Sequence, residues 1–404
     1  MFCKQEGGYM KKILIVILSI CCLFGMQAFF HDSSLSNIDL AFLNKGRYSF
    51  SMGGDFVSAW DNEGNLYSWG YNLYCQTGNI ENSMLDYHRK STNYFKKKVL
   101  LKDVKQVANG EWHSLILKTD GKLFSYGNNS YGQRGFEANK DLTGVVPDEQ
   151  SSELLEINSD GKKIKNIYAK WMNSAFITTD HELYVWGNNE FGNLGNLSKG
   201  DLDEQTRDNY ISYPLKIMDG VKKISFGKDH TAVLLLNGDV YVSGSNELGQ
   251  LGINSNKKVI TKFVKVYSNV KDVSCGFKNT YIIDSNDNLY GVGDNRFNQI
   301  SSSKINNVSK FMLIDKDVCS VSAGTNFCGI LRKNNDFYVI GSNSYGQLGN
   351  TSKETYIKNV REVSVGDNSI IIQKKNGKIY GFGSNLYSIF PSKNKKIKYP
   401  IKLN

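Results

Sequence analysis

Proline is nearly missing: the 404 residues hold four. Long proline-rich linkers are excluded. Set against 38 glycines, the scarcity fits many short strands joined by tight turns. Cysteine is sparse and scattered, at Cys3, Cys21, Cys22, Cys75, Cys275, Cys319 and Cys328. No Cys-x-x-Cys pair exists, so neither a disulfide framework nor a zinc site is encoded. The thiols are expected to act as small buried apolar groups, with Cys319 and Cys328 able to face each other on neighbouring strands. Signatures of catalysis are also absent. There is no His-Glu-x-x-His, no Gly-x-Ser-x-Gly and no phosphate-cradling glycine loop. Asp201-Leu202-Asp203-Glu204 lacks the glycine and spacing of a calcium loop. The sequence implies no metal, no cofactor and no catalytic residue.

Long apolar runs are missing except for one. Lys11 and Lys12 precede a run from Ile13 to Phe30 of about 18 residues, just enough to cross a bilayer. Residues 1–30 therefore read as an export signal peptide or an uncleaved anchor helix. Membrane contact is expected only through residues 13–30, and the remainder in the cell envelope or outside the cell. The net charge is +10, and about +8 remains without the first 30 residues. This mild excess suits an anionic partner or surface. Nucleic acid is not expected, since the basic residues are not gathered on one face.

After Asn37 the chain repeats itself. Seven segments align: YSWGYNLYCQTG, FSYGNNSYGQRG, YVWGNNEFGNLG, YVSGSNELGQLG, YGVGDNRFNQIS, YVIGSNSYGQLG and YGFGSNLYSIFP. Each has the same glycine (Gly70, Gly127, Gly187, Gly244, Gly293, Gly341, Gly383) and an asparagine two residues later (Asn72, Asn129, Asn189, Asn246, Asn295, Asn343, Asn385). The glycine lets a strand end where another backbone approaches closely. The asparagine is suited to left-handed geometry and to bonding its own backbone. The following Gln76, Gln133, Gln250, Gln299 and Gln347 are expected to be local cross-links, and the next Leu or Ile to pack between repeats. The glycine spacings of 57, 60, 57, 49, 48 and 42 fit propeller blades.

A second pattern lies upstream. Eleven residues before a turn pair sits a glycine in six repeats: Gly53, Gly110, Gly227, Gly276, Gly324 and Gly366. The third repeat breaks the rule with Lys170. The turn pairs, from Glu63-Gly64 to Asn376-Gly377, suit two-residue hairpins. His113 and His230 share one repeat position, where a structural role is expected. Tyr399-Pro400-Ile401-Lys402-Leu403 echoes Tyr213-Pro214-Leu215-Lys216-Ile217, which stands before the fourth repeat. By that analogy the C-terminal strand completes the first blade, with residues 38–43 as a competitor.

These segments resemble the repeat of the regulator of chromosome condensation family, over residues 47–391. The resemblance implies an all-β, seven-bladed β-propeller at residues 37–404, preceded by the signal or anchor helix. The family's namesake is a nucleotide exchange factor for a small nuclear GTPase, which an exported chain does not meet. Secreted bacterial members include inhibitors of β-lactamases, a closer precedent for an exported chain. No exchange residue and no target is carried over.

Function on such scaffolds sits in the connections. The longest are 79–103, 136–163 and 196–220, and the first holds Tyr87, His88, Arg89, Lys90, Tyr94, Phe95, Lys96, Lys97 and Lys98. These form a candidate basic, aromatic binding surface, with Lys393, Lys395, Lys396 and Lys398 of the tail placed beside it. Connections 136–163 and 196–220 are acidic, through Asp141, Asp148, Glu149, Glu153, Glu156, Asp201, Asp203, Glu204 and Asp208. The expected function is an extracytoplasmic, monomeric scaffold binding a protein or an anionic glycan. A propeller hydrolase or lyase with a central-channel site is the alternative, but no ring of carboxylates occupies equivalent repeat positions. An exchange-factor-like regulator is the third reading.

Overall fold

In the computed structural model, residues 40, 43, 47–78, 99–138, 153–196, 210–349 and 356–403 are described. They form seven antiparallel sheets and, among the described residues, no α-helix. The sheets span residues 48–70, 104–157, 164–218, 221–267, 270–315, 318–341 and 360–402, and are numbered as blades 1 to 7. Within each blade the strands follow sequence order, the first lining a central channel and the last facing outward. Blades 1 and 6 have three strands. Single antiparallel bridges, Leu66 to Leu101 and Phe337 to Ile357, stand where the outer strand lies elsewhere. Residues 1–30, where the export signal is expected, lie outside the described residues.

The repeated letters do repeated work. All seven motif glycines have φ between 102° and 111°, conformations L side chains rarely adopt. A Cβ on Gly244 would lie 2.4 Å from the Asp229 carbonyl oxygen and 2.6 Å from the His230 Cα. The motif asparagines are not left-handed, contrary to expectation. Their side chains instead reach forward. In every repeat the Asn Oδ1 accepts the backbone N–H five residues on, as from Thr77 to Asn72 at 2.9 Å and from Phe390 to Asn385 at 2.8 Å. The glutamines close the same loop from behind. Each of the five accepts the N–H two residues before it, at 2.8–2.9 Å. Leu194 and Leu251 are fully buried and pack against the next blade.

The hairpin turns differ in detail from the expected two-residue form. The second residue of each pair is left-handed, from Gly64 at 79° to Gly377 at 81°, including His181 at 64°, while the first is not. Gly64 N–H bonds the Asp61 carbonyl and Asp61 N–H bonds the Asn65 carbonyl. That pattern is a three-residue loop with a left-handed closing residue.

Ring closure also differs from expectation. Lys396–Lys402 pairs with Ile379–Ser384, so it is the outer strand of blade 7, not part of blade 1. The echo with residues 213–217 is genuine. Tyr210–Met218 is likewise the outer strand of blade 3 and not the opening of the fourth repeat. Among the described residues each blade draws its strands from one stretch of sequence, and no strand is exchanged between the ends. The circle closes through side chains: Trp69 Nε1 donates to the Ile389 carbonyl at 2.9 Å. Around it Phe50, Val57 and Met52 of blade 1 share a core with Ile370, Phe382, Phe390, Ile397 and Leu403. Leu40 and Leu43 are buried in that core as well.

Seams between other blades use the same chemistry. Ser174 Oγ donates to the Gln133 carbonyl at 2.7 Å, so it accepts the Nε2 proton of His113, also at 2.7 Å. Thr280 repeats the relay between the Gln250 carbonyl and His230. Burial pushes both imidazoles down to about 3, so they stay neutral. Their role is structural, as their shared repeat position indicated. Cys319 and Cys328 do stand on neighbouring strands, but Cys328 is opposite Ala323 while exposed Cys319 lies at the far end. Both thiols are free.

Candidate functional site at the channel mouth

The expected basic site, Tyr87, Arg89, Lys90, Tyr94, Phe95, Lys96, Lys97 and Lys98, lies outside the described residues, as do Asp141, Asp148, Glu149, Asp201, Asp203, Glu204 and Asp208. Of the expected acidic sector, Glu153 and Glu156 are exposed, and Glu156 pairs with Lys122 at 3.1 Å. The tail lysines Lys393, Lys395, Lys396 and Lys398 are exposed.

The described residues bring together a site elsewhere. In each blade the second strand begins opposite the end of the third, as His113 faces Gly127. The short loop after the inner strand and the motif loop therefore emerge at the same end. From that end the chain also leaves the described residues, at 78, 138, 196 and 349. Residues after the repeated glycine ring the mouth: Gly54, Glu111, Trp171, Lys228, Phe277, Thr325 and Asp367. Backbone bonds stitch this ring across blades, from Glu111 N–H to the Trp171 carbonyl at 2.8 Å and from Thr325 N–H to the Asp367 carbonyl at 2.9 Å.

The repeated glycines mark the narrow layer beneath. A Cβ on Gly110 would lie 2.1 Å from the His113 ring and 2.7 Å from the Trp171 carbonyl oxygen. Lys170 meets no ring from its own blade, which carries Asn173; the glycines of blades 5 and 7, beside Asn279 and Ser369, are instead pressed by a neighbouring glycine carbonyl at 2.8 Å. The Lys170 ammonium reaches across the channel to the carbonyls of Cys275 in blade 5, at 2.8 Å, and Ala323 in blade 6, at 2.5 Å. Burial holds its pKa down, and the Asp367 carboxylate opposes that fall.

Three carboxylates from three blades converge above it. Asp55 of blade 1 is pushed up to about 7 by burial and then by Glu111. Glu111 of blade 2 is raised to about 7 by burial, with Lys228 opposing. Asp367 of blade 7 is driven well above the usual carboxylate range by burial, then by Glu111 and Asp55. Glu111 and Asp367 flank Gly54, whose missing Cβ would lie 3.3 Å from Glu111 Cγ and 3.4 Å from Asp367 Oδ2. Among the described residues none of the three is in an ion pair. The same residues do not offer a group of three His, Cys, Asp or Glu arranged to hold a metal ion.

Aromatic rings surround the acids. Tyr71 lies tilted against Tyr387 at 4.5 Å and Trp171 meets Phe277 edge-on at 5.2 Å. Lys228 sits over Phe277 at 4.8 Å. Trp171 is non-glycine at φ 52° and only 5 % exposed. It lines the channel cavity of about 280 Å³ together with Lys170 and Asp367. Sequence reasoning missed this cluster because its acids stand at unequal offsets. Asp55 is two residues past its glycine, whereas Glu111 and Asp367 are one past theirs. The available signal was the variable column beside a constant glycine, and the single lysine that breaks the glycine rule.

The fold and the seams define a seven-bladed propeller of regulator of chromosome condensation type. Residues 104–133, 180–234, 221–250 and 270–299 match the regulator of chromosome condensation (RCC1) repeat, so the chain carries repeats of that family. It is similar to yeast RCC1 (Prp20) in its complex with Kap60, with TM-score 0.68 and 19 % identity over 93 % of this chain and 88 % of that one. Among relatives, the probable E3 ubiquitin-protein ligase HERC3 of Homo sapiens is 34 % identical over 37 % of this chain. The ultraviolet-B receptor UVR8 of Arabidopsis thaliana is 28 % identical over 48 % of it. These matches span 13 % of the ligase and 40 % of the receptor.

Proposed function

We propose that this propeller is a protein-binding scaffold that engages its partner with the channel-mouth face, and that it works outside the cytoplasm. The observation carrying the first part is the unpaired acidic, aromatic mouth at the end where the variable connections depart. Buried carboxyls held outside any ion pair beside aromatic rings suit recognition more than folding, since ionising them costs stability in the free protein. The relatives support a recognition role: the fold neighbour was crystallised with a protein, Kap60. The placement is supported by the lysine-led apolar run at residues 11–30.

Photo-crosslinkers at Tyr131 and Tyr345, beside the mouth, should capture a partner that crosslinkers on the opposite turns, at Asp120 and Asn376, do not. Equal capture from both ends would refute the assignment of the face. Fractionation that recovers the full chain in the cytoplasm would refute the placement.

A hydrolase or lyase is the second reading, and the convergence of Asp55, Glu111 and Asp367 favours it, because raised carboxyls can serve as acids. It requires turnover of a glycoside substrate that Glu111→Gln abolishes.

A further inference from the structure

We infer that the outer strand of blade 7 is a second membrane contact, a lysine-rich surface that lies on an anionic phospholipid bilayer near the apolar run of residues 13–30. This rests on the placement proposed above and adds to it a surface on the propeller itself. Lys396–Lys402 and the bend before it carry Lys393, Lys395, Lys396, Lys398 and Lys402, all exposed. No Asp or Glu occurs from Asn368 to Asn404. Among the described residues none of these five lysines is in an ion pair. The other four-stranded blades each hold an ion pair on their outer strand. Glu156 of blade 2 meets Lys122 at 3.1 Å, and Lys216 of blade 3 meets Glu182 at 2.6 Å. Lys265 of blade 4 meets Asp239, and Asp315 of blade 5 meets Arg332, both at 2.8 Å. Blade 4 has further exposed lysines, Lys257, Lys258 and Lys262, but it stands on the opposite side of the ring.

Where the chain enters the propeller is a second, independent observation. Leu40 and Leu43 are buried in the core that blade 7 shares with its neighbours, together with Ile397 of the lysine strand and Leu403 just after it. The apolar run ends at Phe30, ten residues before Leu40, and ten residues span at most about 35 Å. A bilayer that takes residues 13–30 is therefore within reach of blade 7, while blades 3 and 4 lie across the ring from it. Exposed lysines attract anionic headgroups within about a Debye length. Tyr399, 60 % exposed, adds a ring of the kind that favours the headgroup layer. Leu386 is exposed beside it in the fold, where Asn385 N–H meets the Lys395 carbonyl at 2.8 Å. The apolar run supplies attachment, and the lysines fix which side of the ring faces the lipid. A propeller held by its rim keeps the channel mouth clear for a partner.

The test is photo-crosslinking to lipid. A benzophenone side chain replaces Tyr399 or, as the control, Tyr213 of the equivalent Tyr-Pro pair in blade 3, which is 56 % exposed. The full chain is reconstituted into vesicles of phosphatidylcholine, alone or mixed with phosphatidylglycerol, and phospholipid adducts are quantified by mass spectrometry. Position 399 should give about tenfold more adduct in the anionic vesicles than in the neutral ones, and about tenfold more than position 213. Salt at about 1 M should remove the excess. Lys395→Gln/Lys396→Gln/Lys398→Gln should lose about tenfold at position 399. Lys257→Gln/Lys258→Gln/Lys262→Gln removes the same charge from blade 4 and should stay within about twofold of the parent. All six side chains are exposed, so both variants should melt as the parent does. Equal adducts in neutral and anionic vesicles, equal adducts at positions 399 and 213, or equal losses in the two triple variants would each overturn the contact. Loss of the adduct to soluble poly(glycerol phosphate) would overturn it too, in favour of a polymer site. Full chain recovered in the cytoplasm, with position 399 still crosslinking anionic vesicles, would sink the placement and leave the surface. Full chain recovered in the envelope, with no adduct at position 399, would sink the surface and leave the placement.

Discussion

The blade seams and the channel mouth are built from neighbouring residues of the same repeats, yet they obey opposite rules. At the seams a few polar bridges recur from blade to blade, although the Nδ1 of His113 and of His230 has no partner. The hydroxyl of Ser174 or Thr280 bridges a neutral histidine and a carbonyl, and tryptophan Nε1 of Trp69 or Trp186 meets a motif carbonyl at 2.9 Å. At the mouth no two blades carry the same set. Among the described residues three acids stand outside any ion pair, one tryptophan nitrogen lacks an acceptor, and Lys170 stands where six repeats have glycine. Folding is secured where the repeat is strict. Recognition is free to vary where it is not.

The comparison can be broken most severely at a seam glycine. Gly244→Ala should cost about 3 kcal/mol or more in urea unfolding, because both φ and the 2.4 Å approach to the Asp229 carbonyl forbid a Cβ. A loss under about 1 kcal/mol would show that the seam yields more than its regularity implies.

The mouth should respond in the other direction. The double variant Glu111→Gln/Asp367→Asn is expected to be more stable than the parent by about 1–3 kcal/mol at pH 8. Raised carboxyls favour the folded state when protonated. That contribution is complete below the unfolded value near 4 and is lost as pH rises through about 7. The gain should therefore shrink toward zero by pH 4. The seam histidines have the opposite sign. Their depressed values give stability present above about 6.5 that is lost as pH falls toward 3. Replacing His113 with Gln should flatten the acid limb of the parent's stability profile without touching its alkaline limb. A mouth variant that alters the acid limb alone would contradict the division.

Smaller effects sharpen the picture. Asn343→Ala removes the acceptor for Leu348 N–H and should cost about 1 kcal/mol in urea unfolding. Gly121→Ala places a Cβ in open space at φ 89°, so only the backbone penalty of about 1 kcal/mol should remain. If Gly121→Ala proved as costly as Gly244→Ala, close approach would not be what distinguishes the seams.

The propeller was legible in the sequence because a recurrent physical need leaves a recurrent letter. Gly70 and its six counterparts, the asparagines after them and the left-handed turn residues could be read in register before any coordinates. The role of the asparagine was half legible. Its backbone bond was expected, but its handedness was not that of a turn residue, since the side chain does the work. The outer strands were misassigned because the echo of residues 213–217 and 399–403 shows equivalence without saying which blade owns the strand. The mouth was illegible for a different reason. Convergence across Asp55, Glu111 and Asp367 is made by the circle, which joins positions more than 300 residues apart. The basic candidate at Tyr87–Lys98 lies outside the described residues, so it neither gains nor loses by them.

Because the described strands of each blade come from one stretch of sequence, the circle has no privileged origin. Joining the two ends of the propeller and reopening the chain between blades 4 and 5 would leave every sheet whole. The order of synthesis would change while the mouth was rebuilt from the same seven loops. A ring assembled this way can acquire or shed a unit by duplication or loss of one segment. The mouth, drawing one loop from each unit, would register every such event as a new combination of charges.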